Sequence, residues 1–150
     1  MRLWHYQLLP YLPDAQFKGQ LRELVAIMHD WRDKGKTNHL LINRVMEYPE
    51  IELSSYYLWY GTEYLRRFGK DLSEKYDCEF KDFSKNENWL DGLLKESLFD
   101  GWHNTEYLRV CMANLYEKHK FGIGKSRIAD EEWQVLLDGY MAITGEEYVI

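Results

Sequence analysis

The segment LREL at positions 21–24 sets a carboxylate, Glu23, beside a guanidinium, Arg22. A carboxylate suits proton transfer and a guanidinium suits anion binding. Phe17, Leu21, Leu24 and Met28 recur at steps of four, three and four, the apolar stripe of a helix. At about 100° per residue, Glu23 projects well away from that stripe, on the side shared by Gln16 and Gln20, and Arg22 also points off it. A charged pair on a helix exterior serves solubility as readily as chemistry, so periodicity leaves both uses open. A second cluster follows: Arg32, Lys34, Lys36 and Arg44 crowd together with only Asp33 among them and His39 nearby. It reads as a small basic patch or as a solvated loop.

Other chemistries find no support. There is no Walker-type glycine loop, no GxSxG elbow and no Rossmann fingerprint. FGIGKS at 121–126 lacks P-loop spacing and a preceding strand, and is expected to be a helix stop. His5, His29, His39, His103 and His119 show no zinc-ligand spacing, and neither Cys78 nor Cys111 has a CxxC partner, so no metal or other cofactor is expected. The two cysteines read as reduced thiols.

The elements that must position these residues are mainly helical. The 150 residues are 45% hydrophobic and 16% aromatic, with no secretory h-region and no apolar run long enough to cross a bilayer. They predict one all-α globular domain over 1–150, of about four to five helices with an ordered N-terminal segment, in the cytoplasm. The first helix follows Pro13 and runs out by Gly35. Ser54 or Ser55 is expected to cap a second, with Leu58, Leu65, Phe68 and Leu72 as its stripe, flanked by Tyr56, Tyr57, Trp59, Tyr60 and Tyr64. WLDGLLKESLF at 89–99 is a shorter third candidate. Asn104 or Thr105 caps a fourth ending near Gly122 and Gly124, and Asp130 caps a fifth ending near Gly145. The net charge of −6 weighs mildly against nucleic acid, yet residues 1–50 hold seven Lys/Arg against six Asp/Glu while the remainder is acidic. Trp4, His5 and Tyr6 fit a core-filling end segment, with His5 satisfied by a backbone carbonyl.

MRLWH followed by PYLP, with LREL at this distance, resembles the pyrimidine-dimer DNA glycosylase family of the phage endonuclease V type, and most closely its uncharacterised bacterial members. KGK at 34–36 resembles the family's basic loop, and YYLWYGTEYLRR at 56–67 its aromatic second helix. WHNTEYLRVCMANLYEKHK at 102–120 resembles its late helix. The resemblance covers roughly residues 1–120 in patches. The sequence departs from the phage type at Gln16, Ala26 and Asn114, where that type has basic residues, and in its tail GEEYVI.

The resemblance implies an endonuclease V-like fold and a DNA repair glycosylase with AP-lyase activity. The α-amine of Met1 would attack the sugar C1′ of a damaged nucleotide, expel the base and form an imine, and β-elimination would then cut the strand. An α-amine titrates at about 7.7–8.0 against about 10.4 for lysine, so at neutral pH a useful fraction, about a tenth, is already the free-base nucleophile. Glu23 would be its acidic partner. Arg2, Arg22, Lys34, Lys36, His103 and Lys118 would bind the DNA, expected to be double-stranded. Two alternatives stand beside this reading: an enzyme of the same fold acting on another nucleotide substrate, and a non-catalytic helical interaction module.

Overall fold

The computed structural model describes residues 2–85 and 89–150, with side chains for all of these except 92–94. Every regular element among them is helical, as the spacing predicts: α1 (Asp14–Lys34), α2 (Glu50–Phe68), α3 (Glu74–Ser84), α4 (Thr105–Phe121) and α5 (Asp130–Thr144). Short 3-10 turns at Tyr6–Tyr11, Ile42–Glu47, Trp89–Leu94 and Gly124–Ser126 join them. The residues cluster into two compact units, one taking Leu21–Trp102 with the chain start up to Leu3, the other Trp4–Gln20 with His103–Ile150. Helix α1 passes from one to the other between Gln20 and Leu21.

In the first unit α2 is the central helix, with α3 and the Trp89–Leu94 turn packed on it. It begins a full turn before the expected serine caps. Extended Pro49 opens it, with Glu50 and Glu52 in its first turn where the helix dipole favours them. Ser54 and Ser55 therefore lie inside the helix and buried, their hydroxyls donating to the carbonyls of Phe80 (3.1 Å) and Ile51 (2.7 Å). The buried face is also not the leucine stripe: Leu53, Tyr56, Tyr57 and Tyr60 are enclosed while Leu65 is 44% exposed. Steps of three, one and three make those four residues one helical face. Aromatic packing selects it, Tyr57 stacking on Phe80 at 4.2 Å and donating its hydroxyl to Asp77 at 2.5 Å. Burial and that carboxylate push the Tyr57 hydroxyl well above its ordinary value.

Helix α2 stops at Phe68, where Gly69 takes φ +69°. Leu72 thus falls outside it, and α3 starts afresh behind Ser73, whose hydroxyl accepts the Lys75 amide. The sequence reading missed α3 because only Phe80 and Phe83 of it are buried, too few to show a period. The expected helix over 89–99 is only the turn Trp89–Leu94. Gly92 at its centre disfavours an α-helix by about 1 kcal/mol relative to alanine.

In the second unit α4 packs on α5, and the Tyr6–Tyr11 turn packs on α5 as well. Asn104 caps α4 as expected, accepting the Tyr107 amide at 2.9 Å. Ala129, not Asp130, is the residue before α5, and Glu132 accepts its amide at 2.9 Å. Gly139 is required by contact, since a Cβ there would lie 2.4 Å from the Tyr11 ring. FGIGKS is indeed a helix stop: α4 ends at Phe121, and the amides of Gly122 and Ile128 both donate to the Lys118 carbonyl.

Candidate active site

Helix α1 is buried on more than its predicted stripe. Phe17, Leu24 and Met28 are fully enclosed as expected, but so is Ile27, which shares the side of Gln16, Gln20 and Glu23. That side receives the N-terminal segment through main-chain bonds. The Trp4 amide donates to Gln20 Oε1 at 2.8 Å, and the Arg2 amide donates to Glu23 Oε2 at 3.0 Å. The acceptors are three residues apart, adjacent along one face of the helix. The donors are two apart along the segment that precedes the Tyr6–Tyr11 turn. Glu23 is half-buried and engaged with the Arg2 amide. Gln20 had no assigned role in the sequence reading. Ile27 on its face was the available signal, because an apolar residue outside the stripe widens the buried arc.

The rest of the end segment is core, as its aromatic composition suggested. Trp4, His5 and Tyr6 are 4%, 1% and 6% exposed. His5 Nδ1 accepts the Gln7 amide at 3.1 Å, and the backbone at His103 and Asn104 bonds its ring. Desolvation dominates, and the imidazole is pushed down to about 4, so it is neutral at physiological pH. His103 is buried too, its Nδ1 accepting the Tyr6 amide at 3.1 Å, and its ring stacks with that of His5 at 5.1 Å.

The other expected site residues lie at the surface. Arg22 is exposed and makes no ion pair among the described residues. Lys118 is half-buried on α4. The basic cluster is largely answered by acids of its own: Arg32 pairs with Asp33 at 2.8 Å, Lys34 with Asp30 at 3.6 Å and Arg44 with Glu47 at 3.7 Å. Lys36 is exposed and enters no ion pair among the described residues. Met1, the expected nucleophile, lies outside the described residues. A cavity of about 400 Å³ opens beside the end of α1, lined by Trp31, Arg32, Glu50, Glu79, Asp82, Phe83 and Lys85. Its three carboxylates outnumber its two cations, which suits it poorly to a phosphate-bearing ligand.

The described residues thus form an all-helical protein in which a helix carboxylate, with an exposed arginine as its sequence neighbour, accepts the Arg2 amide of the N-terminal segment. A family model described as pyrimidine dimer DNA glycosylase matches residues 1–76, and the chain belongs to that family. The matched span carries Arg2, Arg22, Glu23, Lys34 and Lys36, while His103 and Lys118 fall beyond it. No curated protein and no solved structure matches the chain. The family is one of DNA glycosylases, so the chain is assigned at that level to DNA repair, with DNA as its substrate. No helix among the described residues is long and apolar enough to cross a membrane.

Proposed function

We propose that residues 1–150 act as one catalytic domain, a glycosylase with AP-lyase activity on double-stranded DNA carrying a damaged, pyrimidine-dimer-type nucleotide. The α-amine of Met1 is its nucleophile and Glu23 is the acidic partner. One observation carries this reading, the bond from the Arg2 amide to Glu23 Oε2 at 3.0 Å. Only three covalent bonds separate the α-amine from that amide nitrogen, so chain geometry keeps the two nitrogens within about 4 Å of each other. The carboxylate is thereby tied to the peptide that carries the nucleophile.

The amine lone pair attacks C1′, the glycosidic bond breaks, and the base leaves with the bonding electrons and takes up a proton. Opening of the sugar ring, with O4′ protonated, gives the imine. In its protonated form the imine acidifies C2′–H. Loss of that proton expels the 3′-phosphate by β-elimination, and water then releases the amine. Glu23 stabilises the positive charge at C1′ and carries protons through these steps. Arg2 and Arg22 hold the flanking phosphates, Lys34 and Lys36 contact the backbone further along, and Lys118 contributes from α4. His103 acts through the terminal segment, whose Tyr6 amide it holds.

Borohydride trapping of the untagged protein on abasic-site DNA tests the reading. The expected result is a covalent adduct whose mass maps to the N-terminal peptide. Glu23→Gln should slow its formation by about 10²- to 10⁴-fold. A protein that gives no adduct, or a Glu23→Gln variant as fast as wild type, would sink the proposal.

A further inference from the structure

The loop after α1 displays two adjacent leucines on a braced support. Leu40 and Leu41 are each 87% exposed. The loop beneath them is closed by bonds between Thr37 and Asn43: the Thr37 amide donates to Asn43 Oδ1 at 2.7 Å and its hydroxyl to the same oxygen at 2.8 Å. Asn43 Nδ2 returns a bond to the Thr37 carbonyl at 3.3 Å, and the His39 amide donates to Thr37 Oγ1 at 3.0 Å. Thr37 is 4% exposed, and Ile42 and Val45, just past the leucines, are buried. The apolar tip therefore stands on a fixed base and has no cover of its own.

The surroundings indicate what covers it. Residues 30–47 hold four Lys/Arg against Asp30, Asp33 and Glu47, a local charge of +1 on a chain of net −6, and Lys36 among them enters no ion pair among the described residues. An apolar tip framed by cations matches a duplex, whose phosphates are charged and whose base stack is apolar. The loop also lies within the span that matches the DNA glycosylase family. The rise of α1 puts Lys34 about 16 Å along the axis from Glu23. That is about the length of five stacked base pairs, so one duplex can touch both places.

We propose that Leu40 and Leu41 form an apolar wedge that enters the base stack of duplex DNA and opens it for extrusion of the damaged nucleotide. The proposal rests on the DNA glycosylase reading but not on the imine chemistry, and its test separates the two. The probe is a set of duplexes bearing a tetrahydrofuran abasic analogue, which forms no imine, with 2-aminopurine stepped through ten positions on each side. Binding of the wild type should raise the fluorescence at one or two steps. The Leu40→Ala/Leu41→Ala variant should lose that rise while its thermal unfolding is unchanged, because neither side chain is packed.

On cleavable abasic DNA the double variant should be slower by about tenfold on duplex and unchanged on single strand, where there is no stack to open. Leu40→Phe, which keeps an apolar tip, should retain duplex activity. A wild type that binds the duplex without unstacking any step overturns the proposal, as does a double variant that unstacks and cleaves duplex as well as wild type. A double variant that alters self-association in sedimentation while leaving 2-aminopurine untouched also overturns it, making the pair a contact between copies. Failure of borohydride trapping with the fluorescence result intact removes the nucleophile assignment and leaves the wedge standing.

Discussion

Helix α1 handles polar groups in opposite ways along its length. At Gln20 and Glu23 it accepts main-chain amides, those of Trp4 at 2.8 Å and Arg2 at 3.0 Å. From His29 onward its partners are side chains: His29 bonds Glu79 at 2.5 Å, Arg32 bonds Asp33, and Lys34 lies 3.6 Å from Asp30. The physical difference is in what separation leaves behind. A buried amide stripped of its acceptor costs the full desolvation of the group, whereas exposed ion partners part into water at little loss. The forward part can therefore hold reacting atoms in register. The rear part offers a pattern of charge, suited to following a backbone rather than fixing an atom.

The strongest test of that contrast uses His5, in the segment the forward part anchors. Its ring is held down to about 4 by burial, against about 6.5 unperturbed. Between those values the unfolded chain binds a proton that the folded chain does not, so stability rises with pH across that window and is lost as pH falls through it. The expected loss through this group is about 3 kcal/mol between pH 7 and pH 4. Urea unfolding as a function of pH measures it. His5→Asn, which can still cap the Gln7 amide, should flatten that part of the curve. Equal slopes in variant and wild type would mean that the His5 site admits water.

Gln20→Leu comes next. It leaves the Trp4 amide without the Gln20 acceptor in a buried place and should cost about 1–3 kcal/mol. It should also slow borohydride trapping more than it lowers stability at the assay temperature would explain, because Arg2 and Glu23 are registered through the same segment. Gln20→Glu keeps an acceptor and should recover much of the trapping rate. A stable Gln20→Leu protein with full trapping would show that the site does not depend on the anchored segment.

How much of this the sequence disclosed follows from the kind of interaction involved. Apolar period and helix stops are local, and they located α1, α4 and α5 closely. The start of α2 was displaced because a serine looks the same as a cap and as a buried donor to a carbonyl 26 residues away, as Ser54 is to Phe80. The bond between Glu23 and the Arg2 amide spans 21 residues and involves a backbone group that every residue possesses, so no residue type announces it. Only the family resemblance pointed to Glu23 above its neighbours. Leu40 and Leu41 drew no notice because two leucines read as core until their exposure is known.

The smallest effect is expected at His29 and Glu79, and it probes the rear of the helix directly. The His29 bond is the leading cause holding the Glu79 carboxyl below its ordinary value. A carboxylate so lowered contributes stability above its unfolded value and loses it as acid protonates it. The pair is partly solvated, with side chains 38% and 20% exposed, so screening reduces what the bond contributes. His29→Ala should cost about 0.2–1 kcal/mol at pH 7, and the gap from wild type should close toward pH 3. Chemical denaturation at the two pH values reads both numbers. Trapping on abasic DNA should be unaffected, since nothing between His29 and Glu79 fixes the terminal segment. A loss well above 1 kcal/mol, or a fall in trapping, would show the rear of α1 to be as position-defining as the front and would erase the contrast.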